Sequence, residues 1–551
     1  MSAMYDRAGL ETMAAPARPW YARLRFPLFV VVYAVAILAV PRVGVALGLD
    51  AEPVLPLLMM TQLALPLGVL LLAVWFLFFS GLWFSVKLVV VLFIGLAVAG
   101  ANFFLIRKVE FTTREYGLVP IFHFVWDVAV RDRLAAQLEN DKANPDALPK
   151  IDATVGPEDF ACYRGRNYDG ILQHITFETD WRTHAPKLLW SRPCDGGYSG
   201  IAVARNIAVT LEQRGKQEAV VCFDRATGRQ SWVYAYGAFA KDVMGDGPRS
   251  TPAIHNGRIF TTGATGQLVC LDVEGKKLWD INILEDSQAK NIQWKMTGSP
   301  LIVGDLVIAH AGIDPDKPAG AALVAFEQAT GKKRWAVGSR PAGYSSPQLA
   351  VFGDQAQILL FDGKGLVSYD PATQKELWSY PWETKYDMNN IQPVIVGGDK
   401  VFISSETDNG CALLHIKPPD ADSAKWRVEP VWSNRNLGAR FANPVTDGQR
   451  IFGLNGVGGV LVCLDAANGK ALWKGERYGP GQMLLAGKTL LVVSDKGVAS
   501  LLDAEAGKET ELARLQVLDS KTKTWNTPAV AGDQLFVRNQ DEIACWKLPR
   551  R

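Results

Sequence analysis

The chain has 551 residues, 48% of them hydrophobic and 21% charged, with a formal net charge of +2. That length allows two or more domains, and the near-neutral balance gives no electrostatic case for a nucleic-acid partner. Seven cysteines stand at wide spacings with no CxxC, no CxxCH and no adjacent pair, so zinc-ribbon, thioredoxin-like and c-type haem readings fail.

Residues 1–25 are polar and carry Arg7, Arg18, Arg23 and Arg25. Three apolar runs follow: Phe26 to Leu47, Val54 to Phe84, and Leu88 to Ile106, with Lys87 between the last two. Each approaches the roughly 20 residues that a membrane-crossing helix needs. The expectation is a transmembrane region of about three helices over 26–107. The arginines place the N-terminus in the cytoplasm and the C-terminal part outside it, with Arg107 and Lys108 against the rule. The first run is too long for a cleaved signal peptide and lacks a small-residue cleavage site. No acidic residue falls inside the runs, so they read as an anchor in lipid and not as an ion path.

Residues 108–185 read as a connecting region. Ile121 to Asn140 predicts an amphipathic helix, with Phe122, Val125, Trp126, Val128, Val130 and Leu134 on its apolar side. The Pro/Asp/Ala-rich stretch from Asp141 to Pro157 reads as a linker.

From residue 186 onward the sequence repeats. A short apolar run, an acidic residue, a Gly turn, basic residues and a Trp recur. The clearest copies hold Asp224, Gly228 and Trp232; Asp272, Gly275 and Trp279; Gly331 and Trp335; Asp370 and Trp378; and Asp465, Gly469 and Trp473. Trp190 and Trp432 belong to decayed copies, and Glu511 stands where a further Trp would fall. The markers are 38 to 56 residues apart, the period of four-stranded propeller blades. Asp and Asn bond their own backbone and Gly accepts positive φ, so each copy contains a tight turn. The Trp then opens an outer strand and packs between blades.

A second landmark is a proline at each inner-strand start: Pro252, Pro300, Pro347, Pro393, Pro444 and Pro528. Proline is tolerated there because no ladder donor is needed. The count predicts an all-β propeller of eight blades over 186–548. The last blade lacks an outer strand, which Lys187–Trp190 would supply, closing the ring and removing exposed edges.

These repeats resemble the PQQ-like, or quinoprotein-like, β-propeller family. It includes quinoprotein alcohol dehydrogenases and the propeller lipoprotein of the outer-membrane β-barrel assembly machinery. The segment Tyr163-Arg-Gly-Arg-Asn-Tyr-Asp-Gly170 is similar to one that precedes such propellers in membrane-anchored bacterial members. The resemblance implies an eight-bladed fold, a bacterial source and an envelope location. It does not imply a bound quinone.

A quinoprotein dehydrogenase needs an oxygen cage for calcium, a catalytic carboxylate and a stacking site, commonly with a ring of adjacent cysteines. No adjacent cysteines exist here, and about 45 residues per blade leave few long loops. HExxH, GxSxG and Walker A patterns are absent. No catalytic or metal-binding residue is assigned.

Loops entering the inner strands crowd the channel mouth. They carry Tyr198, Arg249, Trp294, Lys295, Tyr344, Asn389, Asn390, Arg440, Tyr478, Trp525 and Asn526, with Asp242, Asp246, Glu383 and Asp387 offsetting the cations. Aromatic and Arg residues are enriched at binding hot spots. The expectation is a non-catalytic scaffold in the bacterial inner membrane, with its propeller on the periplasmic side. It would bind an envelope protein, peptide or polymer. The alternative is a PQQ- and calcium-dependent dehydrogenase of alcohols or sugars.

Overall fold

The computed structural model describes residues 89, 92, 106–114, 117–124, 130–143, 148–237, 245–314, 316, 320–406, 409–420, 423–519 and 522–550. The chain divides into a unit spanning Met1–Asp127 and a unit spanning Val128–Arg551.

In the first unit, strands Ile106–Arg114 and Gly117–Phe124 form an antiparallel hairpin, with Arg114 opposite Gly117. The three expected spans lie outside the described residues except at Val89 and Leu92, which are helical. Among the described residues, no helix is long and apolar enough to cross a membrane.

The helix expected over 121–140 is corrected. Gly117–Phe124 is a strand, and the helix is Val130–Ala143. Pro120 lacks a backbone donor and biases Val119 to extended geometry, while the aromatic and branched run around it suits a strand. A propensity-driven helix resumes only at the Arg/Ala/Leu/Gln-rich stretch after it.

The second unit is a ring of eight four-stranded sheets. Blades 1 to 7 occupy residues 202–236, 253–282, 301–337, 348–381, 394–434, 445–477 and 482–516. Each has an innermost strand and three successive antiparallel neighbours. Blade 8 takes Ala529–Ala531, Gln534–Arg538 and Glu542–Lys547 from the C-terminal end, and Lys187–Pro193 as its outer strand. Its inner strand lies against that of blade 1, closing the ring. The helix Val130–Ala143 rests on the closing strand, with Asp141 3.5 Å from Arg192.

The repeat motif builds the outer seams. Asp224 Oδ1 accepts from the Thr227 amide at 2.9 Å and holds the turn. Trp190, Trp232, Trp279 and Trp432 each donate their indole N–H across a seam, to the main-chain oxygens of Arg225, Val273, Gln328 and Ala466 at 2.8–3.0 Å. Each ring lies on the next turn's glycine. A Cβ at Gly275 would meet the Trp232 ring at 2.5 Å, and its φ of +81° also favours glycine. At Trp335 the next turn holds Gln374 in place of glycine, with φ +61°, and the indole nitrogen has no partner among the described residues. Trp378 bonds Gln357 within its own blade instead. The Trp473 indole nitrogen likewise has no partner among the described residues, so the decayed copy at Trp432 makes the seam bond that three better-preserved copies do not.

Candidate functional site at the channel mouth

The inner strands are joined by a polar belt at their starting ends. Ser199 Oγ donates to Ser250 O, the Thr251 amide to Ser299 Oγ, the Ser299 amide to Ser346 Oγ, and Gln392 Nε2 to Ser346 O. The Gln392 amide donates to Asn443 Oδ1, Gln482 Nε2 to both Phe441 O and Trp525 O, and Asn526 Nδ2 to Ser199 O. Every blade thus reaches its neighbour through a side chain at the channel. This accounts for the Ser, Gln or Asn that precedes several strand-starting prolines.

The opposite end is closed by residues 152–178. Phe160 pairs with Val203 of blade 1 in both directions, at 3.0 and 2.8 Å. Ala161 O accepts from Ile254 of blade 2, and Tyr168 Oη accepts from the Ile302 amide of blade 3. Leu172 and Gly170 pair with Leu485 of blade 7, and Glu158 O accepts from Gly532 of blade 8. Arg164 Nη2 donates to Pro444 O beside blade 6. Contacts with the inner strands of four blades, and with residues flanking those of two more, carry this segment across the channel floor. Two ion pairs fasten its start: Glu158 with Arg550 at 2.9 Å and Asp159 with Arg225 at 3.1 Å.

At the mouth, the expected residues fall into separate groups. Trp525 stacks with Tyr198, at 5.4 Å and 22°, and with Phe441, at 5.0 Å and 20°. Arg249 covers the Tyr198 ring at 5.8 Å, Arg440 covers Phe441 at 5.1 Å, and Lys523 stands over Trp525 at 4.7 Å. Such contacts each contribute about 0.5–1 kcal/mol where exposed. Arg440 also pairs with Glu406 at 3.0 Å, and Arg249 donates to Gly245 O and Gly247 O. Phe441 and Lys523 were not singled out in the sequence. Gln482, at the start of blade 7, draws Phe441 and Trp525 together by donating to the main-chain oxygen of each.

A second group surrounds Trp294. It packs on Tyr344 at 5.7 Å and edge-on to Tyr386 at 6.1 Å. Tyr386, also not singled out, is 56% exposed. Tyr386 and Asp387 both take left-handed backbone, with φ of 61° and 55°, as does Lys295 with φ of 69°. Non-glycine residues hold such conformations only where the surroundings impose them. Asn389 braces the loop that carries Tyr386 and Asp387: fully buried, it donates to Asp362 O at 2.7 Å and Trp382 O at 3.0 Å. Asn390 Nδ2 donates to Arg440 O and links the two groups. Tyr478 stands apart: it is buried in the apolar cluster of blades 6 and 7, and its hydroxyl donates to Glu509. Asp242 lies outside the described residues.

The family model described as outer membrane protein assembly factor BamB matches residues 238–413 and 416–545, more than half of the chain. The chain belongs to this family. Among solved structures it is similar to BamB from Moraxella catarrhalis, at 15% identity over 66% of this chain and 98% of that one, with a TM-score of 0.44. It is also similar to quinohemoprotein alcohol dehydrogenase from Comamonas testosteroni, at 13% identity over 76% and 84%, with a TM-score of 0.50. The second likeness shows the fold alone. No curated protein matches the sequence.

Three titratable groups of this BamB-family propeller are buried at the mouth end. Burial pushes Glu218 up to about 7 although the Ala264 amide bonds its carboxylate. Burial likewise pushes Asp362 up to about 7, against the Lys364 and Gly365 amides that it accepts. His310 is pushed down to about 4, again by burial. All seven cysteines are buried and unpaired, and desolvation raises the Cys270 and Cys463 thiols to about 12. Among the described residues, no three His, Cys, Asp or Glu side chains gather as metal ligands would.

Proposed function

We propose that the protein is a non-catalytic interaction scaffold. Its N-terminal apolar runs anchor it in the bacterial inner membrane, and its propeller presents the channel mouth to an envelope protein, peptide or polymer on the periplasmic side. The observation that carries this reading is the disposition of the mouth aromatics. Trp525 is already packed by Tyr198, Phe441 and Lys523, so the residues present offer no bare ring on which a planar quinone would stack. The dispersed, buried cysteines and the lack of a clustered carboxylate cage among the described residues point the same way. Tyr386, held out on a rigid loop, has the character of a binding hot spot.

The test is thermal unfolding of the full chain in detergent, with and without PQQ and calcium, beside a dye-reduction assay on alcohols and sugars. The scaffold reading predicts no shift and no reduction. A quinone bound at a hundred times its dissociation constant would add about 2.7 kcal/mol, and that rise together with dye reduction would replace the reading by a dehydrogenase.

A further inference from the structure

Away from the Trp525 stack, the mouth holds a corner of aromatic rings whose polar tips are unused. Trp294 lies on the loop that leads into blade 3, Tyr344 on that into blade 4 and Tyr386 on that into blade 5. The Trp294 and Tyr386 rings stand at 87° with centroids 6.1 Å apart, and Tyr344, itself buried, backs Trp294 at 5.7 Å. Main-chain amides tie the three loops together. That of Tyr344 donates to Asn389 O at 3.0 Å, and that of Trp294 to Tyr344 Oη at 3.4 Å. Left-handed backbone at non-glycine residues falls beside both open rings, at Lys295 and at Tyr386 and Asp387. Such backbone gathers at ligand clamps. Rings held this firmly lose little freedom when a partner arrives.

The hydrogen-bonding chemistry of the corner is one-sided. Trp294 Nε1, Tyr386 Oη and the ammonium groups of Lys295 and Lys385 have no hydrogen-bond partner among the described residues. All four can donate. The side-chain amides beside them are engaged: Asn389 Nδ2 with Asp362 O and Trp382 O, and Asn390 Nδ2 with Arg440 O. Glu383, paired with Lys364 at 3.2 Å, and Asp387 offset the lysines, so the corner is not a simple anion trap. A ligand that fits offers apolar ring faces and acceptors while bringing few donors of its own. A run of prolines does this, because each residue supplies a ring and a carbonyl and has no N–H. Its extended helix is preformed, so it docks against aromatic walls at little entropic cost. A glycan would bring a donor with every hydroxyl and meet amides that are already bonded.

We infer that the corner between Trp294 and Tyr386 receives a proline-rich segment of a partner protein in polyproline II conformation. A proline ring seats in the right angle, and the indole N–H and the tyrosine hydroxyl donate to carbonyls of the segment. This rests on the reading of the mouth as the recognition surface, and it narrows the partner to a protein with exposed proline-rich chain.

The experiment is fluorescence anisotropy of a labelled, end-blocked decaproline peptide with the full chain in detergent. Saturable binding is expected, with an end-blocked glycine–serine peptide of equal length weaker by about tenfold or more. Tyr386→Ala removes one wall at a mostly exposed position and is expected to weaken decaproline by about tenfold or more. Trp294→Phe keeps a ring but deletes the N–H, and is expected to weaken it about fivefold. No decaproline binding, equal binding of the glycine–serine peptide, or a folded Tyr386→Ala that binds as wild type would each overturn the inference. So would tighter binding of an oligoglutamate of equal length, which would assign recognition to the lysines, or binding of a chito-oligosaccharide in place of decaproline, which would assign the corner to a glycan. Stabilisation by PQQ with calcium would overturn the scaffold reading as well; failure of decaproline without it would overturn only this inference.

Discussion

The two ends of the channel are built by different means. The floor is closed by one continuous segment that bonds six blades at or beside their inner strands, mostly through main-chain groups and one buried arginine. The mouth is assembled from separate loops whose side chains pack on one another, and it keeps Tyr386 exposed. Main-chain pairing tolerates little movement, whereas loops carrying aromatic and charged side chains are where propellers and other scaffolds place recognition. On the proposed reading, the floor serves stability and the mouth serves interaction.

The largest expected effect is therefore at the floor. Phe160 is 2% exposed and sits in the cluster shared by blades 1, 7 and 8. Phe160→Ala should lower the unfolding free energy by about 3–5 kcal/mol in urea titrations. A loss below about 1 kcal/mol would mean that the floor segment is a dispensable cover.

The pH response should come from the mouth end. Glu218 and Asp362 have folded values raised to about 7, above the roughly 4 of an unfolded carboxyl. The folded state then binds more protons than the unfolded state between those limits. Their contribution is full below about pH 4 and is lost as the pH rises to about 7. His310, depressed to about 4, acts in the opposite sense, favouring the folded state as pH rises from about 4 to about 6.5. Glu218→Gln should thus gain on the wild type as pH rises from about 5 to about 7, followed by denaturation at each pH. A gap that does not change with pH would contradict the burial of that carboxylate.

Arg440→Ala removes the cover over Phe441 and leaves Glu406 without its partner, and should destabilise by about 1 kcal/mol. The smallest effect belongs to Tyr386→Ala, expected to stay within about 0.5 kcal/mol of wild type because the side chain is mostly exposed. A larger loss there would make Tyr386 part of the framework and blur the distinction between the two ends.

What the sequence made legible follows the repeat. The Asp, Gly and Trp spacings mark blades, and the missing outer strand of blade 8 pointed to Lys187–Trp190 because one unit was a strand short. The floor was not legible. Residues 152–178 repeat nothing, and their partners lie up to about 390 positions away, as Glu158 and Arg550 do. The Arg-Gly-Arg-Asn-Tyr-Asp-Gly segment was visible as a motif, but its physics, a guanidinium fitted under Gly170, depends on blade 6 being in place. At the mouth, the rule of looking just before each strand start gathered Tyr198, Arg249, Arg440, Trp525 and Asn526. It also took in Tyr478, whose hydroxyl turns to Glu509, and it passed over Tyr386, which lies seven residues before its proline. The misassigned helix start at Ile121 shows the same limit: an apolar aromatic run fits either period until its hairpin partner is known.

The most direct test of a closed floor and a recognising mouth is site-specific photo-cross-linking in native membranes. A photoreactive phenylalanine replaces Tyr386 at the mouth or Arg205 at the floor of the full chain. The account predicts one discrete adduct from position 386 and none from position 205. Equal adducts from both positions, or an adduct from position 205 alone, would contradict it.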